Sequence, residues 1–174
     1  MARGKRLALE SLEPRYLLSG LPTLIDIFEG AGESAPGFFT NVNGTLFFSA
    51  DTGTNGRELW KSDGTAGGTT LVKDTQAGIN GSNPQDLTNV NGTLFFSTND
   101  GTSVSGLWKS NGTDLGTELV KDIYPYPSGG SAGILGNVGT RVYLVADDND
   151  CRGTVHRDTV YHNADGVSMH SESP

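Results

Sequence analysis

The chain is nearly without cysteine: Cys151 is the single one in 174 residues, so no disulfide can form within it. That scarcity says little about compartment, because secreted bacterial proteins can also be cysteine-poor. Basic residues are few. Twelve Lys and Arg stand against twenty Asp and Glu, for a net charge of −8. A nucleic-acid partner is excluded on that ground, since phosphates demand a basic patch. Long apolar runs are missing too, and no stretch is long enough to cross a bilayer as a helix. Little of the chain has helical spacing. What the chain has in quantity is glycine, 25 residues, or about twice average usage. Ser, Thr, Asn and Asp fill the spaces between short apolar runs, which is the punctuation of a β-rich, turn-rich protein.

The chain also repeats itself. The segment NVNGTLFFSADTGTNGRELWKSDGTAGGTTLVKD begins at Asn41, and NVNGTLFFSTNDGTSVSGLWKSNGTDLGTELVKD begins 48 residues later at Asn89. Phe48 answers Phe96, Trp60 answers Trp108 and Asp74 answers Asp122. The period extends upstream, where Asp26, Ser34, Pro36 and Thr40 answer Asp74, Ser82, Pro84 and Thr88. Downstream, Asn137-Val138 answers Asn89-Val90. One residue is then read as missing, with Gly139-Thr140 standing for Asn-Gly-Thr. Val142-Tyr143-Leu144 replaces Leu-Phe-Phe, and the likeness stops after Asp148. A period of this length points to a propeller or an array of supersecondary units.

Each repeat reads as four strands. In the second they are residues 86–90, 93–98, 106–110 and 117–123, with Asn91-Gly92 as the first turn. Asn-Gly is the strongest short hairpin signal because both residues tolerate positive φ. Leu46-Phe47-Phe48 is apolar at consecutive positions, and neighbouring side chains leave a strand on opposite faces. Both faces of such a sheet need cover, unlike a sandwich sheet with one wet face. The expected fold is therefore all-β, with four-stranded antiparallel blades of a β-propeller-like repeat array. Two complete blades stand between partial blades at each end. A linear β-array or an irregular sandwich is the alternative. Residues 24–27 are expected to supply a fourth strand.

The segments ELWKSDGTAGGTTLVKD from Glu58 and GLWKSNGTDLGTELVKD from Gly106 resemble the ELWxxDGT repeat of bacterial surface and secreted proteins. The first copy matches the signature fully. The second has Gly106 for Glu and Asn111 for Asp. The resemblance implies a propeller-like fold without a general enzymatic activity. Near the N-terminus, RLALESLEPRYLLSG contains Leu12-Glu13-Pro14-Arg15 followed by Tyr16-Leu17-Leu18. It is similar to the LEPR-XLL segment of large extracytoplasmic proteins of planctomycete-type bacteria. That likeness implies an extracellular or cell-envelope location. The residues alone do not, because Glu10, Glu13, Pro14 and Arg15 interrupt the apolar core that a secretory signal needs. The expected organisation is an export-associated segment over 1–20, the end of a blade over 21–40, repeats over 41–88 and 89–136, a partial repeat over 137–148, and a divergent, disordered tail over 149–174.

Candidate sites are sparse. Asp51-Thr52-Gly53-Thr54-Asn55-Gly56 sets oxygen side chains at alternate positions before a glycine, loosely like a calcium loop. Glu58 comes too early for the closing bidentate acid, and Asn99-Asp100-Gly101 in the second copy loses the spacing. A plain connecting loop is the stronger reading. Asp63-Gly64-Thr65 through Gly68-Thr69 reads as a turn held by the Asp oxygen, with Asn111 doing the same work in the second copy. Lys73-Asp74 and Lys121-Asp122 alternate across the strand, so each lysine is expected in solvent or between blades. Cys151, His156, His162 and His170 lack the tight spacings of a zinc site. Asn43, Asn91 and Asn111 open Asn-x-Thr sequons but read as turn residues. Tyr124 and Tyr126 are the aromatic candidates for a glycan surface, and Gln76 and Gly78 replace them in the first repeat.

No catalytic, cofactor or metal residue is singled out. The expected function is a non-enzymatic extracytoplasmic repeat protein, structural, adhesive or interacting through its surface. The alternative is a glycan- or calcium-binding propeller module. The expected partners are further copies of the chain, surface proteins or glycans. The abrupt end of the repeat favours a truncated or frame-shifted product of a longer array.

Overall fold

The computed structural model describes residues 25–28, 32–99, 105–124, 132–149 and 155–163. Its described residues are strands, turns and connections, and no helix occurs among them. The first sheet comprises β1 (Gly37–Val42), β2 (Thr45–Asp51), β3 (Arg57–Ser62) and β4 (Thr70–Lys73), paired in chain order. The second comprises β5 (Gln85–Val90), β6 (Thr93–Ser97), β7 (Ser105–Ser110) and β8 (Thr117–Tyr124), again in chain order. The third comprises β9 (Ala132–Val138), β10 (Arg141–Asn149) and β11 (Val155–Asn163), with β10 in the middle. Every strand pair is antiparallel.

The four strands expected in the second repeat are therefore present, with ends shifted by a residue at most. The 48-residue period also governs the backbone. Asn43 and Asn91 sit at φ 52° and 50°, each followed by a glycine at φ 86°. Two consecutive positive φ values define the hairpin turn whose twist suits antiparallel strands. A bulge interrupts β1 against β2 between Gly37 and Thr40, and β5 against β6 between Gln85 and Thr88. Inside these bulges Phe38 and Asp86 adopt φ 56° and 53°. Such values are uncommon for side chains of this kind, so the same kink is imposed by the same fold twice.

Three expectations are corrected. No residue is missing from the third hairpin: Val138 pairs with Arg141 across Gly139-Thr140, as Val90 pairs with Thr93 and Val42 with Thr45. The departure is in turn composition, Gly-Thr for Asn-Gly, and not in length. The tail read as divergent and disordered over 149–174 contains β11, which pairs with β10 along its whole length from Arg141↔Asn163 to Asn149↔Val155. Alternation in VHRDTVYHN is weak, and pairing with β10 decides the matter. Finally, residues 25–28 carry no strand. Asp26 instead accepts a 3.1 Å bond from the Phe28 N–H. Leu24 and the whole segment 1–20 lie outside the described residues.

The sheets stack in one direction. Val42, Phe47, Leu59 and Val72 of the first sheet form one apolar cluster with Leu87, Leu94, Phe96 and Trp108 of the second. Val90, Phe95 and Leu107 of the second sheet, with Val120, then meet Val142, Leu144 and Ile134 of the third. Leu94, Phe95 and Phe96 are all buried. Consecutive apolar residues are covered because both faces of the middle sheet are packed. The first strands of successive sheets lie side by side, β1 against β5 and β5 against β9.

Candidate functional site

The most repeated chemistry lies in the turn between the third and fourth strands. In the first repeat Asp63 Oδ1 accepts from Thr65 N at 2.9 Å and from Thr65 Oγ1 at 2.7 Å. Thr65 Oγ1 accepts from Gly68 N at 2.9 Å, and Thr69 Oγ1 donates to Thr65 O at 2.8 Å. Ser62 Oγ closes the base with Thr69 Oγ1 at 2.7 Å and accepts from Gly64 N at 3.0 Å. The second repeat reproduces every bond with Asn111 in place of Asp63: Thr113 N and Oγ1 at 3.0 and 2.7 Å, Gly116 N to Thr113 Oγ1 at 3.0 Å, and Ser110 Oγ with Thr117 Oγ1 at 2.7 Å. An acceptor oxygen is all the position requires, and Asp and Asn both supply one. Hydrogen bonds from Thr65 hold the Asp63 carboxyl below its usual pKa of 3.8. A Cβ at Gly68 would collide with the Asp63 carboxylate, and one at Gly116 with the Asn111 amide. The turn is therefore a structural fastener, as its sequence suggests.

Glu58 is the residue whose role the sequence hid. It is fully buried in β3. Its two oxygens accept five bonds from the connection between β4 and β5. The donors are Thr75 N and Oγ1 at 3.3 and 2.9 Å, Gln76 N at 3.2 Å, and Ser82 N and Oγ at 2.9 and 2.6 Å. A buried carboxylate is tolerated only when its lone pairs are satisfied. Here the polar connection supplies all the donors. Gly56 and Gly81 let the same connection lie backbone to backbone against the start of β3, where Arg57 bridges Gly81. At the offset of 48, Glu58, Thr75, Gln76 and Ser82 become Gly106, Ile123, Tyr124 and Gly130. The acid and its side-chain donors disappear together. That joint loss was the available sequence signal for the cradle.

Arg57 works beside it. Its Nη1 donates to Ser49 Oγ at 3.1 Å and its Nη2 to Ala35 O at 2.8 Å, tying the approach to β1 onto β3. Lys73 reaches the neighbouring sheet as its strand position suggests. Its Nζ lies 3.3 Å from Asp114 Oδ1 and 3.1 Å from Thr117 O. Lys61 Nζ likewise donates to Gly112 O at 2.7 Å. Asp74 accepts from Asn55 Nδ2 at 2.7 Å. Asn43 Nδ2 donates to Gly92 O of the neighbouring hairpin at 3.4 Å, and its φ of 52° is that of a turn residue.

The oxygens of the loop 51–56 are turned on each other. Asp51 Oδ1 accepts from Gly53 N at 2.7 Å, and Asn55 Oδ1 accepts from the Thr54 hydroxyl at 2.9 Å. No group of three or more His, Cys, Asp and Glu suited to a metal occurs among the described residues. The loop borders a cavity of about 250 Å³ lined by Ile27, Thr52, Thr54, Asn55, Trp60 and Leu71. The indole N–H of Trp60 is buried without a partner, but so is that of Trp108. The orphan N–H thus belongs to the repeat position and not to the cavity. Asp100, Gly101, Tyr126, Cys151 and His170 lie outside the described residues. His156 and His162 fall in β11, opposite Asp148 and Val142, and Tyr124 ends β8. No helix of the described residues is long and apolar enough to cross a membrane.

No family model matches the chain, and no curated protein or solved structure resembles it closely enough to count as a match.

Proposed function

We propose that this chain is a non-enzymatic repeat module that works by surface contact outside the cytoplasm, its sheets being successive blades of a propeller-like array. One observation carries the non-enzymatic reading. The charged and amide side chains that stand out in the repeats act as fasteners: Asp63 and Asn111 in the turns, Glu58 in its cradle, Lys61 and Lys73 between sheets. General acid–base chemistry would need a pair of groups free to exchange protons with a substrate, and these side chains are engaged in holding the fold. The blade reading is supported by face-to-face stacking of four-stranded meanders and by the adjacency of their first strands. The external location is supported by the LEPR-XLL-like segment.

A glycan-binding role is the second reading, favoured by the cavity beside Trp60, where an indole meets Thr and Asn side chains. At about 250 Å³ it is smaller than usual ligand pockets, roughly 300–1,000 Å³. The deciding experiment is a glycan array probed with the purified chain, with and without calcium. Silence in both conditions, with binding to immobilised envelope proteins of the source cell, supports the contact module. A glycan signal lost on Trp60→Ala replaces it with the second reading. Recovery of the native chain from the cytosolic fraction would remove the external placement.

A further inference from the structure

Each outer sheet of the stack exposes apolar residues at positions that are buried where a neighbouring sheet covers them. In the first sheet, Phe39 and Leu46 occupy the positions of Leu87 and Leu94 in the second, while Phe48, at the position of Phe96, is buried in both. Leu87, Leu94 and Phe96 are buried against the first sheet. Phe39 and Leu46 have no preceding sheet among the described residues and are 58% and 37% exposed. At the other end, Val42 and Val90 are buried under the next sheet, whereas Val138, at the same position in the third sheet, is 68% exposed. One polar bond marks the contact of the first two sheets and is not repeated between the second and third, where Asn137 Nδ2 donates to Gly139 O at 3.4 Å. Asn89 Nδ2 donates to Asn41 O at 2.9 Å, while its Oδ1 holds the hairpin through Gly92 N. Asn41 holds its own hairpin through Gly44 N, but its Nδ2 has no partner among the described residues. The carbonyl equivalent to that of Asn41 in the third sheet, two periods on, is that of Asn137.

We propose that the open face of the first sheet receives the Val138 face of a second copy, so that chains join head to tail. The proposal rests on the stacked-blade reading above. The occupant is a second copy because Val138 and Tyr143 of the third sheet stand where Val42 and Phe47 stand in the surface that covers Leu87 and Leu94. Unequal patches meeting in this way make a heterologous contact, which closes into a ring or runs on as a filament. Exposed apolar faces of this kind mark interaction sites.

The test is sedimentation velocity on the full chain and on Phe39→Asp, Leu46→Lys and Val138→Asp, each checked by far-UV circular dichroism. The wild type is expected to gain mass with concentration beyond the 18.3 kDa of one chain. Each variant, having lost one of the two patches, is expected to stay at one chain mass. An equimolar mixture of Phe39→Asp and Val138→Asp is expected to recover one intact contact and stop at two chains. Leu46→Lys replaces Phe39→Asp if the latter loses its β spectrum. A folded wild type that remains a monomer at every concentration overturns the docking and assigns the face to another occupant. A mixture that does not associate overturns the head-to-tail arrangement. A wild-type chain without a β spectrum overturns the stacked-sheet reading itself.

Discussion

The first and second sheets share a backbone plan down to the same bulge and the same left-handed residues, yet they differ in how the third strand is anchored. In the first, β3 carries a buried Glu58 that collects five bonds from the connection following β4. In the second, Gly106 stands there, and Ile123, Tyr124 and Gly130 replace the residues that supplied the donors. The turn between the third and fourth strands is unchanged bond for bond. What a sheet needs for its own closure is kept in both copies. What fastens a connection to a strand varies, provided that the acid and its donors vary as a set. A buried acid without donors is far costlier than a glycine.

The largest expected effect breaks the cradle. Glu58→Ala leaves buried N–H and O–H donors unsatisfied and should cost about 3–5 kcal/mol, read as a lower urea midpoint with unchanged slope. The reciprocal change sharpens the comparison. Gly106→Glu should also destabilise, since Ile123 and Gly130 stand where Thr75 and Ser82 supply side-chain donors in the first repeat, and a Cβ there would lie 2.6 Å from Leu119 Cδ1. A gain in stability from Gly106→Glu would contradict the idea that the acid and its donors act as a unit. Intermediate effects are expected at the turn, where the repeats should behave alike. Gly68→Ala and Gly116→Ala both displace the capping side chain and should each cost about 1–2 kcal/mol. Unequal losses would mean that the shared bonds do different work.

The smallest effect separates Asp63 from Asn111. The folded-state pKa of Asp63 is depressed, so its contribution is fully present above the usual carboxylate value of 3.8 and is lost as pH falls below that through the folded value. Asn111 has no such dependence. Asp63→Asn should leave the neutral-pH melting point nearly unchanged and flatten its fall as the pH drops below the usual carboxylate value of 3.8. An unchanged slope would mean that the Thr65 bonds do not favour the ionised form.

Much of this molecule was legible in its residues. The 48-residue period, the Asn-Gly turns and the doubly apolar LFF strands specified four-stranded sheets needing cover on both faces, because strand geometry sends neighbours to opposite sides. The Asp63 turn was legible for a similar reason: its bonds span only a few residues, and local sequence determines local bonds. Only the tertiary structure decided the rest. Glu58 looks like any strand acid until the connection 75–82 folds over it. β11 exists because β10 offers it an edge, not because its own pattern demands a strand. Phe39 and Val138 differ from their buried counterparts in neighbours and not in position. Burial and pairing between distant segments are properties of the assembled sheets. A repeat can specify the shape of each face, but which faces find a partner is settled when the sheets stack.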